Sequence, residues 1–262
     1  MELGIEGRRA VVTGGSRGIG AATAALLEAE GARVLLVGRR EDALAEAVAS
    51  VGGDLTTFAA DVTEPDAAAR IADACGRSFG RVDVLVNNAG TSRARPLEEL
   101  TDEEWDEQWQ LHVMAAMRLM REVAPGMAER GWGRIVNVGS SAGKRPSLTN
   151  AAYSVTKAAQ HMLARVFADT YAERGVLVNT VAPGPVETPL WMGEGGLADQ
   201  AAEAKGITRE EAVEAAAAKV PLGRFSSEEE IASVIAFMCS ERASSVAGAN
   251  WSVDGGTVPL PM

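Results

Sequence analysis

The amino-acid sequence predicts an α/β protein with one doubly wound parallel sheet of about seven strands and helices on both faces. Short apolar, β-branched runs alternate with longer alanine-rich helical stretches along the chain. Most of these runs are apolar throughout, which is typical of strands that are covered on both faces. The helices between them supply the right-handed crossovers that such a sheet requires.

The predicted strands share a length of a few residues and a high content of Val, Leu and Ile. They are residues 9–13, 33–37, 55–60, 82–87, 134–138, 177–181 and 250–253. Gly31 and Gly175 each follow a helical run and precede a strand, so we predict left-handed helix caps at both.

Composition limits the class of protein. The 262 residues, 47% of them hydrophobic, predict a single domain over 1–262. A net charge of −11 argues against nucleic acid as a partner, because phosphate binding needs a basic face. Cys75 and Cys239 show no ligand spacing, so neither a disulfide framework nor a metal site is expected. No signal pattern or membrane-length apolar run occurs, and we predict no membrane partner and a cytoplasmic location.

A glycine-rich turn follows the first predicted strand. Residues 13–20 read TGGSRGIG and open a helix, the context in which backbone NH groups approach a pyrophosphate. A plain strand-to-helix connection is the alternative, but the N-terminal position in a βαβ unit favours a dinucleotide site. The expected cofactor contacts here are Gly14, Ser16, Arg17, Gly18, Ile19 and Gly20.

The spacing Thr-Gly-x-x-x-Gly-x-Gly resembles that of the short-chain dehydrogenase/reductase superfamily, and its other landmarks follow in order along nearly the whole chain. The resemblance extends to 3-oxoacyl-acyl-carrier-protein reductase-like members. It implies a Rossmann-type fold and an NAD(P)-dependent oxidoreductase that interconverts a ketone or aldehyde and an alcohol by hydride transfer.

Further cofactor contacts are implied by the resemblance at strand ends. Asp61 and Val62 match the family's adenine-edge contact, although Asp61 is also placed to cap a helix beginning near Glu64. The other matches lie in the Asn-Ala-Gly element and in the segment that meets the nicotinamide: Asn88, Ala89, Gly90, Pro183, Gly184, Val186 and Thr188.

The end of the second strand bears on the choice between NADP and NAD. No acid stands there to accept the ribose 2′-OH, and Arg39 together with Arg17 could clamp a 2′-phosphate. NADP(H) is therefore favoured, with NAD(H) as the alternative. In that alternative, Arg39 and Arg40 face solvent, and Glu41 and Asp42 offset their charge.

Tyr153 and Lys157 are four residues apart on a helical run, so both project from one face. A phenol titrates near pH 10, so it exchanges protons near neutrality only beside a positive charge. The resemblance implies that Tyr153 is the general acid/base, that Lys157 supplies this charge, and that Ser140, thirteen residues before Tyr153, holds the substrate oxygen. Tyr153 and Lys157 are also expected to contact the cofactor. Without the resemblance, the alternative is that Tyr153 packs at the start of the helix and that Lys157 extends to solvent.

Residue 112 departs from the family pattern. Many members have asparagine seven residues after a tryptophan, where it anchors a water in a proton relay, whereas this chain has His112 after Trp105. A neutral imidazole could hold that water, the ring could shuttle protons, or it could pack the helix. We include His112 among the candidate catalytic residues. His161 is expected to lie too far down its helix to act.

The stretch from 183 to about 223 interrupts the alternation and predicts a substrate lid at about 189–222, with an ordinary packed loop as the alternative. Leu190, Trp191 and Met192 would be its apolar residues. Four basic residues in the loops after the fourth and fifth strands indicate an anionic substrate or carrier, or merely solvated charges: Arg93, Arg95, Lys144 and Arg145.

The resemblance also implies a homotetramer or homodimer, formed by packing helices near 105–127 and 151–173. Three methionines would permit this contact: Met114, Met117 and Met120. The leading function is an NADPH-dependent carbonyl reductase acting on a small molecule. The alternatives are an NAD-dependent secondary-alcohol or sugar dehydrogenase and a catalytically silent dinucleotide-binding sensor.

Overall fold

The computed structural model describes residues 2–53 and 55–259. Its strands are β1 (Arg9–Thr13), β2 (Arg33–Gly38), β3 (Leu55–Ala59), β4 (Val84–Asn87), β5 (Gly133–Val138), β6 (Val176–Pro183) and β7 (Asn250–Val253). All neighbouring pairs are parallel, and the order across the sheet is β3-β2-β1-β4-β5-β6-β7. The predicted doubly wound sheet is confirmed, with strand ends shifted by at most two residues.

Ten α-helices occur in the described ranges: α1 (Gly18–Ala29), α2 (Glu41–Val51), α3 (Ala67–Phe79), α4 (Asp102–Trp109), α5 (Ala115–Glu129), α6 (Ala151–Tyr171), α7 (Pro189–Met192), α8 (Leu197–Lys205), α9 (Arg209–Ala217) and α10 (Glu228–Met238). The expected long helix over 105–127 is divided, because a π-helical turn over Gln110–Met114 joins α4 to α5. Capping boxes built on Thr101, Thr208 and Ser227 begin α4, α9 and α10.

Alternate residues of the central strands feed two hydrophobic cores, one on each face of the sheet. Val11 packs with the residues of α3, α5 and α6, whereas its neighbour Val12 packs with those of α1, α2 and α10. Each fully buried aliphatic side chain contributes about 1.5–3 kcal/mol. Because both faces are covered, the strands are apolar throughout, as the sequence indicates.

Met120, which was expected at a subunit contact, lies in the first of these cores and is fully buried. Met114 and Met117 are half-buried. That expectation is wrong for Met120, because its side chain already packs within the protein.

Gly31 and Gly175 adopt the predicted left-handed conformation, with φ of 83° and 77°. A Cβ on Gly175 would also lie 2.1 Å from the Gly131 carbonyl oxygen. Both the turn and the space around it therefore require glycine at 175.

The order of the sheet reverses between β1 and β4, since the chain builds outward from β1 on one side and from β4 on the other. Loops that leave these two strands diverge, and the crevice between them is where such sheets bind ligands. The glycine turn follows β1, and the Asn-Ala-Gly element follows β4. The fold thus places the two predicted cofactor elements side by side.

Within residues 2–53 and 55–259, no helix has both the length and the apolarity needed to span a bilayer. No cluster of metal-ligating side chains occurs among the same residues. Cys75 and Cys239 are both buried free thiols.

Candidate active site

The glycine turn is fastened to the loop after β4. Asn88 Nδ2 donates hydrogen bonds to the carbonyl oxygens of Thr13 and Gly14, at 3.0 and 3.1 Å. Thr13 Oγ1 accepts the backbone NH groups of Asn88 and Ala89, each at 3.1 Å. A Cβ on Gly20 would lie 2.3 Å from the Gly14 oxygen, so the turn can close only with glycine there. The predicted contacts of both elements therefore lie in one place.

The N-terminus of α1 is suited to an anion. Its N-cap residue, Arg17, makes no side-chain cap, and the first turn contains no acidic residue. The first NH groups of a helix have no intrahelical acceptor, and the helix dipole makes them attractive to a phosphate. The residues present thus fit the pyrophosphate of a dinucleotide.

The arginines after β2 differ in their surroundings. Arg40 is paired with Asp42 at 2.6 Å, and this contact lowers the pKa of Asp42 to about 2. Of the two acids expected to offset the local charge, Asp42 is therefore paired with Arg40, and Glu41 is exposed. Arg39 and Arg17 are exposed and form no ion pair with any described residue. Two unpaired arginines at this end of the sheet favour NADP(H) over NAD(H).

Asp61 orders the turn after β3. Its Oδ1 accepts the backbone NH of Thr63 at 2.9 Å and the Thr63 hydroxyl at 2.7 Å. Because α3 begins only at Ala67, Asp61 does not cap a helix near Glu64, and that alternative is wrong. The carboxylate instead holds the strand end in a fixed turn at the edge of the sheet.

Tyr153, Lys157 and Ser140 are brought together at the carboxyl end of β5. The Ser140 and Tyr153 side chains share a hydrogen bond, and Lys157 Nζ lies 5.6 Å from the centre of the Tyr153 ring. The amine also donates to the Val138 carbonyl at 2.7 Å and to Gln160 Oε1 at 3.1 Å. Ser140, Tyr153 and Lys157 thus form one cluster, although thirteen positions separate the first two in sequence and four separate the last two.

Burial sets the ionisation of this cluster. It raises the pKa of Tyr153, an effect that the Ser140 hydrogen bond opposes, and it lowers the pKa of Lys157 to about 7. Both shifts have the same physical cause, the loss of solvation of the charged form. An amine with a pKa near neutrality can both bind and release a proton at physiological pH.

His112 lies in the π-helical turn and is fully buried. Its Nε2 is 3.3 Å from the backbone nitrogen of Thr91, which donates to it, so Nδ1 carries the proton and donates to Thr156 Oγ1 at 3.0 Å. Thr156 in turn donates to the Tyr153 carbonyl. Both ring nitrogens are used, and burial with the nearby Lys157 lowers the pKa well below its usual value. The ring also packs edge-on against Tyr153, with centroids 5.3 Å apart.

His161, which was expected to be remote, packs beneath the loop that carries Ser140. Its Nε2 lies 3.5 Å from the Ser140 nitrogen, a weak contact in which that NH donates. A Cβ on Gly139 would be 2.4 Å from Nε2, and one on Gly143 would be 2.6 Å from Cε1. Burial, with Lys157 and Lys144, lowers the pKa of His161 to about 3, so the ring is neutral. The sequence signal that could have placed His161 here is the pair Gly139 and Gly143, because the absence of a Cβ at both positions leaves space for the imidazole ring.

The segment after β6 is held against the end of β7. A Cβ on Gly184 would lie 2.9 Å from the Asp254 Cα. Val186 pairs with Ser226 in an isolated bridge, and the buried Thr188 donates its backbone NH to the Val186 carbonyl at 2.7 Å. This segment is therefore fixed at the same edge of the sheet as Pro183 and the glycine turn.

A cavity of about 480 Å³ opens beside Tyr153 and Arg17. Leu190 lines it, but Trp191 does not, because its ring packs edge-on against Phe225 with centroids 4.9 Å apart. Met192 is not in the wall either. Of the three apolar residues expected to form the lid, Leu190 alone lines the cavity.

Two of the four basic loop residues do not reach this cavity. Lys144 donates to the Asn250 carbonyl at 2.7 Å, and Arg145 contacts the Thr257 carbonyl at 3.4 Å. Arg93 and Arg95 do line the cavity. The basic patch expected from sequence is therefore divided between two places.

Gln200 of α8 is a site residue that the sequence does not reveal. Its Oε1 accepts the Ala94 backbone NH, and its Nε2 donates to the Gly195 carbonyl, both at 2.8 Å. One amide thus ties the loop after β4 to the glycine-rich loop after α7. The two contacts join parts of the chain more than a hundred residues apart, so no local pattern marks them.

The family model described as short chain dehydrogenase matches residues 8–195. The chain belongs to this family. This short chain dehydrogenase is 37% identical to a 3-oxoacyl-acyl-carrier-protein reductase of Vibrio cholerae, over 97% of this chain and 98% of that protein. It is 33% identical to D-threitol dehydrogenase of Mycolicibacterium smegmatis, over 98% and 95% of the two chains.

Among solved structures, L-sorbose reductase of Gluconobacter frateurii, determined with NADPH and L-sorbose, superimposes with a TM-score of 0.92. The identity is 37%, and the match covers 99% of this chain and 100% of that one. These relatives make the dehydrogenase an NAD(P)-dependent oxidoreductase that acts on CH-OH and ketone groups.

The position of His161 generates a prediction about the serine loop. His161→Leu removes the acceptor beneath the Ser140 NH, so we expect kcat for ketone reduction to fall by about tenfold while the KM for NADPH stays constant. His161→Gln, which restores an acceptor, should recover part of the loss. Steady-state kinetics and thermal unfolding measure both variants.

The matched control is Met162→Leu, one position along the same helix, where the side chain is 66% exposed. This variant should behave as wild type. An unchanged kcat in His161→Leu would show that the ring does not position Ser140.

Proposed function

We propose that this short chain dehydrogenase is an NADPH-dependent carbonyl reductase with Tyr153 as general acid. The observation that carries the proposal is the cluster of Ser140, Tyr153 and buried Lys157, of which Tyr153 lines the same cavity as Arg17 of the glycine turn. The cluster can hold an oxygen and give it a proton, and the turn fits a dinucleotide. A single cavity thus meets both requirements of carbonyl reduction.

NADPH, when bound, supplies the hydride that the carbonyl carbon receives. Ser140 and Tyr153 hold the carbonyl oxygen by hydrogen bonds, which stabilises the negative charge that develops on it. Tyr153 then gives its phenolic proton to this oxygen. Lys157 lies beside the phenol and favours phenolate when its amine is charged, so the proton loss costs less free energy. Oxidation of an alcohol uses the same groups in reverse.

His112 is proposed to act as a positioning residue. Its two ring nitrogens connect the loop after β4 to Thr156, one turn of helix from Tyr153. With both nitrogens engaged and its pKa lowered, the ring is a poor proton carrier. Packing against Tyr153 orients the phenol towards the cavity.

Contacts with the cofactor are proposed at three levels of the crevice. The glycine turn would hold the pyrophosphate, Asp61 and Val62 would border the adenine, and the loop after β6 would meet the nicotinamide. The residues proposed are those expected from sequence: Gly14, Ser16, Arg17, Gly18, Ile19, Gly20, Arg39, Asp61, Val62, Asn88, Ala89, Gly90, Tyr153, Lys157, Pro183, Gly184, Val186 and Thr188.

The NADP(H) assignment is supported by the solved L-sorbose reductase with NADPH and by the free cations Arg17 and Arg39. D-threitol dehydrogenase among the relatives supports a second candidate, oxidation of a polyol by the same machinery. The intact cluster of Ser140, Tyr153 and Lys157 argues against a catalytically silent sensor.

Self-association into a dimer or tetramer is also proposed. Val155, Met162 and Val166 are about half to two-thirds exposed along one side of α6, and Trp109 of α4 is 40% exposed. Apolar side chains repeating along a helix surface are typical of a subunit contact.

We further propose a single domain over 1–262 and a lid at 189–222. We also propose a cytoplasmic location, where two free thiols such as Cys75 and Cys239 are typical.

Removing the phenolic oxygen tests the proposed function. Tyr153→Phe should lower kcat for NADPH-dependent ketone reduction by about 100-fold to 10,000-fold, since no group remains to protonate the oxygen. NADPH binding, followed by fluorescence, should persist. The chain offers a matched control, since its other tyrosine, Tyr171, lies at the far end of α6. Tyr171→Phe should keep wild-type turnover, and equal turnover in both variants would contradict the role of Tyr153.

Charge reversal tests the cofactor preference. In Arg39→Asp, a lost charge-assisted bond costs about 1.5–3 kcal/mol, so KM for NADPH should rise roughly tenfold to a hundredfold while KM for NADH changes little. Arg40→Asp is the control, because Arg40 is already paired with Asp42. A larger NADPH effect at Arg40 than at Arg39 would contradict the assignment.

A further inference from the structure

We propose that the substrate is an uncharged, hydroxyl-rich carbonyl compound of the keto-polyol class, and neither an acyl thioester nor a keto acid. This inference rests on the proposed carbonyl reductase activity and concerns the same cavity. It is carried by the chemistry of the cavity wall, which the family membership does not determine, since the relatives include both an acyl reductase and a polyol dehydrogenase.

The wall beyond Tyr153 is mostly polar. Loop residues and residues of α4 and α8 contribute hydroxyl, amide and charged groups, among them Ser92, Glu107, Gln108, Asn150 and Gln200. Such groups bind hydroxyls well, because each can donate to or accept from a sugar-like OH. A wall of this kind recognises a ligand by hydrogen bonds along its whole length.

Gln108 is the most specific part of this wall. Its Oε1 is buried, and no described residue donates to it, although the residue lines the cavity. A buried acceptor without a donor costs about 1–3 kcal/mol, which a ligand that brings a donor recovers. A hydroxyl group supplies that donor, whereas an alkyl chain and a carboxylate do not.

Charges in the wall nearly cancel, which argues against an anionic substrate. Arg95 is paired with Glu104 at 2.9 Å, so it offers little free charge. Arg93 has no ion-pair partner among the described residues, but neither do Glu107 and Glu194 in the same wall. Arg17, the other unpaired arginine of the wall, belongs to the glycine turn and is proposed to hold the cofactor, so a carboxylate on the substrate would meet two free acids for the one remaining free arginine.

The apolar surface is too small for an acyl chain. Leu100, Pro189 and Leu190 are the larger aliphatic side chains of the wall. Burial of a methylene group against apolar atoms stabilises binding by about 0.8 kcal/mol. Burial of the same group against polar atoms leaves those atoms without hydrogen-bond partners. Trp191, which could have enlarged this surface, packs on Phe225 instead.

Gln200 limits the space along the cavity. Its amide joins the loop after β4 to the loop after α7, with both hydrogen bonds at 2.8 Å. The two loops are thereby held across the cavity from each other. A compact molecule fits beneath this connection, whereas a long chain attached to a carrier would need it to open.

A substrate series of equal carbon number tests the proposal on the full chain with NADPH. Erythrulose, 2-butanone and acetoacetate share four carbons and a ketone but differ in hydroxyls and charge, and acetoacetyl-N-acetylcysteamine represents the acyl thioesters. We expect kcat/KM for erythrulose to exceed kcat/KM for each of the other three ketones by at least about tenfold. A factor of this size corresponds to the free energy of one or two hydrogen bonds.

Variants separate recognition from the intrinsic reactivity of erythrulose. Gln108→Leu should lower kcat/KM for erythrulose by about tenfold and leave that for 2-butanone unchanged. The matched control is Gln110→Leu, because Gln110 lies outside the cavity wall and bonds to Arg118 and Asp106. In this control, the ratio of the two kcat/KM values should stay as in wild type.

The outcomes distinguish a failure of the proposed substrate class from a failure of the proposed reductase activity. A preference for the thioester, the keto acid or 2-butanone would overturn the substrate class and leave the reductase activity intact. An erythrulose preference that survives in Gln108→Leu would overturn the role of the wall. No turnover of any of the four ketones would contradict the proposed reductase itself, and with it this inference.

Discussion

Burial of the Lys157 amine is the constraint on which the rest of the site depends. An ammonium group removed from water is costly unless acceptors surround it, and here the Val138 carbonyl and Gln160 are those acceptors. The first belongs to the end of β5 and the second to the next turn of α6. The Lys157 amine, which is proposed to take part in catalysis, thus fixes β5 and α6 relative to each other. The same burial brings the pKa of Lys157 to about 7 and raises that of Tyr153.

Two neutral histidines support this arrangement from opposite sides. His112 reaches from the π-helical turn to Thr156 and the Tyr153 ring, and His161 fills the space under the Ser140 loop. Burial and the nearby lysine lower the pKa of both rings, so neither adds a second positive charge beside Lys157. Each ring contacts one of the groups proposed to hold the substrate oxygen. The π-helical turn matters here, because it places His112 beneath Thr91 while α4 and α5 continue on either side.

The sequence predicts most of this architecture, because apolar strands and glycine spacing are local signals. The seven strands and the left-handed Gly31 and Gly175 are examples. The proximity of Ser140 to Tyr153 is instead implied by the resemblance to the family. What the sequence could not predict depends on contacts between distant parts of the chain. Gln200 joins two loops that lie about a hundred residues apart in sequence, His161 contacts Ser140 across 21 residues, and Trp191 packs against Phe225. The helix expected near Glu64 begins later because Asp61 and Thr63 form a turn first.

Transfer of isotope from the cofactor tests the central claim most directly. NADPH carrying deuterium at C4, prepared separately on each face, is incubated with the protein and erythrulose, and the alcohol product is examined by NMR and mass spectrometry. The account predicts deuterium at the former carbonyl carbon from one face only, because Gly184 is bonded to the end of β7 and Val186 is bridged to Ser226, so that this loop is fixed and presents a single face. Product without deuterium from either face, or transfer from both, would contradict hydride delivery in the site described.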